Sequence, residues 1–193
     1  MSRSVRDGAS VRYGTVSDQA TVASSLQERR SHEDHLVIVD PEESPLAVVA
    51  TAELPDYPGD LLMRDVAFRQ PAIVILAAEL TITEAAASAA MSALDDEAGM
   101  AVIMEADTIV GLWFGESLAT ARLTAMLGGV RGLETASSDA LLPGRIRIPT
   151  VVRLCAYRAM GWVCMARREF TELPEQSPVC DDPQALGSHR FGF

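Results

Sequence analysis

The chain has no lysine at all: all sixteen of its cationic side chains are arginine. With no lysine there can be no P-loop lysine on a phosphate, and no G-x-G-x-x-G stretch offers the other common nucleotide loop. Aromatic residues are scarce, at 5% of 193 residues, so any core must be built mainly from Ala, Val, Ile, Leu and Met. No apolar run is long enough to span a bilayer, and the opening M-S-R-S-V-R-D-G lacks the apolar region of a secretory signal. The expectation is a soluble cytoplasmic protein that does not enter a membrane. Cations are outnumbered, with a formal net charge of −11. General nucleic-acid binding is therefore excluded, because phosphate contacts need neutralising cations.

Catalytic motifs are missing as well. His32-Glu33-Asp34-His35 brings its second histidine one residue too early for the H-E-x-x-H of metalloproteases. Gly115-Glu116-Ser117-Leu118 lacks the second glycine of a nucleophile elbow. The carboxylates at Glu42-Glu43 and Asp95-Asp96-Glu97 read as turn and helix-end residues. No side chains form an evident catalytic set, and the expected class is a non-enzyme.

What the chain does have is a globular composition, 48% hydrophobic and 22% charged, and a C-terminal stretch that gathers unusual chemistry. All three cysteines and one of three histidines fall there, spaced C-x8-C-x15-C-x8-H as Cys155, Cys164, Cys180 and His189. Three thiolates and an imidazole are a common structural zinc set. Ala159-Met160-Gly161 suits a turn between two short strands, which would set Cys155 and Cys164 roughly opposite each other, with Cβ atoms about 4.5–5.5 Å apart. Pro174 and Pro178 break regular structure and could return Cys180 to the same place, and Asp181-Asp182-Pro183 favours a turn. His189 follows, beside Phe191 and Phe193 as possible covers. Two other readings stay open: inert buried thiols, or a redox pair of Cys155 and Cys164 with Cys180 spare. Four protein ligands would close a zinc sphere, so a metal here is expected to be structural, not catalytic.

Charge is unevenly distributed. Between Asp139 and Glu169 there is no acid, yet Arg145, Arg147, Arg153, Arg158, Arg167 and Arg168 all lie there. Such a stretch can meet an acidic partner surface or stand as a solvated face.

Residues 1–12 are polar and read as loosely held. Ser17-Asp18 is expected to cap a helix through Ala20, Val22, Ala23 and Leu26. H-L-V-I-V (35–39) and L-A-V-V-A (46–50) are short, β-branched and separated by D-P-E-E-S-P, as in a hairpin of buried strands. Glu53 to Gly59 is a connector, and Leu61 to Phe68 a short helix. The plan then recurs about 65 residues on. A strand covers 72–76, and a helix opened by Thr81 or Thr83 with Glu84 covers 85–94. Strands follow at 100–104 and 109–113, and an amphipathic helix at 116–127 is stopped by Gly128-Gly129.

H-L-V-I-V-D-P-E-E-S-P-L-A-V-V-A-T-A-E-L and M-A-V-I-M-E-A-D-T-I-V-G-L-W-F-G-E-S-L are the segments by which residues 10–128 resemble a pair of cystathionine-β-synthase (CBS) domains, the tandem arrangement called a Bateman module. The resemblance implies an α/β (α+β) fold: two βαββα repeats, over 13–70 and 71–130, about a pseudo-twofold axis. A small zinc-knuckle-like extension would follow at 143–193. It also implies dimerisation and, in the family, adenine-nucleotide binding between repeats. There a strand ends in Gly, two apolar residues, Ser/Thr and, three on, an Asp for the ribose. Those positions carry Ala47, Ala50 and Glu53 in the first copy, and Gly111, Phe114 and Ser117 in the second. Ala47, Glu53 and Gly111 are thus the candidate nucleotide residues, with Phe114 adding bulk in the second cleft. The functional expectation is a regulatory or scaffolding module, a homodimer with a zinc-stapled end docking to a protein partner. The alternatives are an adenine-nucleotide sensor and a thiol switch.

Overall fold

The computed structural model describes residues 4–10, 12–88, 90, 100–114, 149–155, 157–159, 162–164, 166–171, 174, 176–180 and 189–191. The expected helix at 116–127, the far end of the helix at 85–94, and residues such as Arg145, Arg147 and Phe193 lie outside them.

The first repeat starts with β1 (Tyr13–Ser17) and α1 (Val22–Glu28), continues through β2 (His35–Val39) and β3 (Pro45–Ala50), and closes with α2 (Met63–Ala67). The second sets out β4 (Ile73–Ala77), α3 (Ile82–Ala86), β5 (Met100–Glu105) and β6 (Thr108–Trp113). In both, the first strand is parallel to the second and the second antiparallel to the third. This twin β-α-β-β order is the α+β plan that the CBS resemblance implied. β1 was not legible as a strand, because Y-G-T-V-S has neither an apolar run nor a strict alternation.

Local chemistry explains the ends of the elements. Thr81 caps α3 and Glu84 returns the bond, a reciprocal capping box. The first helix is capped not by Ser17-Asp18 but by Thr21, boxed with Ser24. Asp18 instead continues the strand, donating its N–H to Val39 O at 2.9 Å. In the β2–β3 turn, Asp40 Oδ1 accepts from the N–H groups of Glu42 and Ser44, both at 2.9 Å. Glu43 takes up a left-handed φ of 62° there.

Three apolar layers hold the two units. Leu36 and Ile38 of β2 pack with Val22, Met63 and Val66 of the helices. Val74 and Leu76 of β4 pack with Ala85, Ile103 and Trp113. Between the sheets, Val37 and Val48 of the first meet Ile73, Ile75, Val102 and Leu112 of the second. β2 and β4 therefore bury both faces, which is why they read as apolar runs and not as alternations.

Two segments of the chain complete the second sheet. β7 (Thr150–Leu154) adds antiparallel to the free side of β4, and β10 (Arg167–Phe170) adds to β7, giving the order β10-β7-β4-β5-β6. At the other edge, residues 4–10 of the stretch read as loosely held are seated on the second unit. Val5 is fully buried in the second unit's core, its N–H bonded to Leu80 O at 2.8 Å, and Ser10 exchanges backbone bonds with Leu112.

This strap explains Gly111. A Cβ there would stand 2.4 Å from Ala9 Cβ and 3.4 Å from Ser10 O. Gly111→Ala must push the strap off its seat, and overpacking of this kind costs about 1–3 kcal/mol. A urea midpoint unchanged from that of the parent would show that the strap does not sit there.

Candidate metal centre

The C-terminal hairpin continues from the sheet. Beyond β7, β8 (Arg158–Ala159) pairs with β9 (Trp162–Val163), and the return strand is β10. Cys155 N–H donates to Ala166 O, and Cys164 N–H to Tyr157 O, each at 2.9 Å. The two strands of the expected hairpin pair, with the turn residues Met160 and Gly161 lying outside the described residues, but its two cysteines are not directly opposite. Cys155 is level with Ala166 and Cys164 with Tyr157, which makes the cysteines diagonal neighbours. Side chains on such a diagonal remain within reach of one another.

A second, shorter antiparallel contact carries the other pair. Val179 bridges Arg190, Cys180 N–H donates to His189 O at 2.9 Å, and Phe191 N–H donates to Pro178 O at 3.0 Å. Cys180 and His189 are therefore level with each other. The ligand atoms of Cys155, Cys164, Cys180 and His189 all lie within 4.8 Å of one another, and all four residues are buried. Cys164 Sγ is 3.5 Å from Cys180 Sγ. At zinc–sulfur distances of about 2.3 Å a tetrahedron spaces its sulfurs about 3.8 Å apart, so the four residues fit a metal ion.

The surroundings close the site. Phe191 is buried against the three cysteines and meets Phe170 of β10 edge-on at 6.2 Å. Tyr157 stacks on the His189 ring, 4.1 Å away and tilted by 13°. The sequence reading missed Tyr157, although its place two residues after Cys155 on a short strand was a usable signal. Burial pushes the Cys155 thiol above its ordinary value, a shift that the Tyr157 backbone only partly opposes. A thiolate there needs a compensating cation, as metal binding supplies.

Arg167 and Arg168 of the basic stretch, and Arg190 beyond it, have described partners near the site. Arg168 Nη1 donates to Val179 O at 3.3 Å and so joins β10 to the Cys180 arm. Arg167 pairs with Glu169 at 2.6 Å. Arg190 Nη1 reaches Ser177 O at 2.6 Å.

The three candidate nucleotide residues are placed differently. Ala47 is buried in the first core, and Glu53 is exposed beyond the end of β3. The bare backbone of Gly111 accommodates Ala9, so that position is filled by the chain itself and does not fit a phosphate or ribose. Phe114 lies against His35, ring centroids 4.5 Å apart.

No protein-family model matches the chain, and no curated protein does. Solved structures resemble it over part of its length. The CBS pair domain of a proposed Mg2+ transporter from Shewanella oneidensis MR-1 is 19% identical over 58% of this chain and 66% of its own, with a TM-score of 0.39. The CBS domains of a transcriptional regulator from Streptococcus pneumoniae are 16% identical over 61% of this chain and 98% of theirs, at 0.44. A CBS-domain-containing protein from Kribbella flavida gives the same four figures, 16%, 61%, 98% and 0.44. At these scores they stand as likenesses alone. The twin-unit fold rests on the strand order and register given above. Among the described residues no helix is long and apolar enough to cross a membrane.

His35, at the seam beside Phe114, provides a pH test. Burial lowers its pKa from the ordinary 6.5, against the opposing pull of Asp34 and Glu53. The folded state therefore binds its proton less readily than the unfolded state. This contribution is fully present above the unfolded value of 6.5 and is lost as pH falls through the lower folded value. His35→Gln should flatten the fall in urea midpoint between neutral and mildly acidic pH; an unaltered slope would place His35 in a solvent-like setting.

Proposed function

We propose that the protein is a regulatory or scaffolding module. Its CBS-like body assembles as a homodimer, and its C-terminal end, folded around a structural zinc ion, docks to a protein partner. The observation that carries the metal part is the convergence of three buried thiols and one buried imidazole, with ligand atoms within 4.8 Å of one another. Inert core thiols have no reason to gather around a histidine from a separate arm of the chain. A closed set of four protein ligands leaves no open position for substrate or water, and so favours a structural role.

Zinc bound there would supply folding free energy to an end of the chain with little apolar core of its own, the cluster of Cys155, Cys164, Cys180 and Phe191. The consequence extends to the body, because Cys155 directly follows β7. When bound, the metal supplies charge compensation and a fixed distance between the two arms. The chain's own residues do the rest: Tyr157 orients the imidazole, Phe191 excludes water, and Arg168 joins the arms.

Purified protein should hold one zinc per chain with all three thiols reduced. Cys180→Ser should lower the zinc content at least tenfold and reduce the Tm by several degrees. Metal-free protein with reduced thiols and an undiminished Tm would end the proposal. A mass two units lower, restored by reductant, would favour the thiol switch.

A further inference from the structure

The three thiols of the candidate metal centre are not equivalent. Cys155 and Cys164 belong to one hairpin, whereas Cys180 comes in on the separate arm that pairs with residues 189–191. The hairpin register limits what the first two can do together. Cys155 N–H donates to Ala166 O and Cys164 N–H to Tyr157 O, so the two cysteines are diagonal neighbours. Diagonal neighbours stand about 7–8 Å apart. A disulfide needs Cα atoms within about 6.8 Å and Cβ atoms within about 4.5 Å. Joining Cys155 to Cys164 would therefore distort the hairpin, although both can reach one ion.

Cys164 and Cys180 are not bound by that register. Their Sγ atoms are 3.5 Å apart, and a disulfide of about 2.05 Å requires a further approach of roughly 1.5 Å. The parts that carry them can supply it. Cys164 directly follows β9, a two-residue strand, and Cys180 lies on the short arm held by the Val179–Arg190 bridge and the Arg168 tie. Cys155 is held more firmly, because it directly follows β7, whose Val151, Val152 and Leu154 are packed into three apolar layers. Access differs in the same sense. Cys155 and Cys164 are 0% exposed and Cys180 is 6% exposed, so a small oxidant meets Cys180 first.

We propose that Cys164 and Cys180 form a disulfide when the centre meets hydrogen peroxide, and that this bridge expels the zinc ion. The Cys180 thiolate attacks one peroxide oxygen, the O–O bond breaks, hydroxide leaves, and Cys180 becomes a sulfenic acid. The Cys164 thiolate then attacks that sulfur. The S–S bond forms, the S–O bond breaks, and a second hydroxide leaves. With two protons taken up, two thiolates have been oxidised to a disulfide and one peroxide reduced to two waters. Cys155 and His189 remain, too few ligands to close a tetrahedron. The inference rests on the zinc reading and adds its regulation: oxidation frees the docking end from its metal.

Peptide mapping of the full chain tests it. Trypsin separates the three thiols, because Arg158, Arg167 and Arg168 lie between them and the cysteines fall in peptides 154–158, 159–167 and 169–190. Zinc-loaded protein is treated with hydrogen peroxide, quenched with N-ethylmaleimide and digested without reductant, while a chromogenic chelator reads released zinc. Peptides 159–167 and 169–190 should be linked, peptide 154–158 should carry a maleimide, and one zinc should leave per bridge. Reductant and added zinc should reverse the change. A link through peptide 154–158, zinc loss with sulfinic acid and no bridge, a bridge formed with zinc retained, or thiols unchanged in excess peroxide would each overturn it. A chain purified without zinc ends the metal reading, and the map of that metal-free protein then decides the bridge by itself: no link between peptides 159–167 and 169–190 overturns the bridge as well.

Discussion

Burial of β7 is the constraint on which both the body and the candidate metal centre depend. This five-residue strand, Thr150–Leu154, lies between the first unit's helices, the intersheet layer and the second unit's core. Val151 belongs to the second unit's core, Val152 to the layer between sheets, and Leu154 packs against the first unit's core. One short segment therefore touches all three apolar layers, and its next residue is Cys155. The position of the first ligand is set by the body, not by the hairpin alone. Anything that loosens the hairpin pulls on a strand that three cores share, a coupling through packed elements and not through a flexible tether.

The candidate metal centre is assembled from two antiparallel contacts of unequal kind. The hairpin of β7 to β10 is braced by the sheet along its base. The contact between residues 178–180 and 189–191 rests on backbone bonds, on the Arg168 tie, and on the aromatic pair of Tyr157 with His189. This second arm has few apolar residues of its own. A metal ion there would replace the missing core with coordinate bonds, which is the physical reason such small arms keep thiols and imidazoles together. The same logic accounts for the elevated thiol of Cys155: in a dry pocket the charged form is favoured only when a cation shares it.

Legibility followed how local each cause was. H-L-V-I-V and A-I-V-I-L were readable because strands buried on both faces must be apolar throughout. A threonine cap with Glu84 was readable because a capping box lies within four residues, and the structure chose Thr81 over Thr83. The cap of α1 was misplaced by a few residues, since Ser17, Asp18 and Thr21 all have capping side chains, and only the demand of Val39 for Asp18 decides among them. β1 was missed for a related reason. Its pairing partner gives it its conformation, while its own composition is that of a loop. In the candidate metal centre, the four residues able to act as ligands were named from their types and spacing. Tyr157, a ring with no ligand atom, was not.

The sequence by itself determined the β-α-β-β order of the second repeat and the α-β-β part of the first, the positions of the apolar runs and the four residues able to hold a metal. These follow from side-chain type and from periods of two to four residues. The tertiary structure alone decided that the N-terminal residues cross Gly111, that β7 extends the second sheet, and that Cys155 and Cys164 sit on a diagonal. The first two depend on contacts between residues far apart in the chain, such as Ser10 with Leu112 and Ile73 with Val152, and the third on the register of the hairpin. No local pattern encodes which distant segment will cover an open strand edge. That choice belongs to the packing of the whole chain, where each buried backbone group must find a partner.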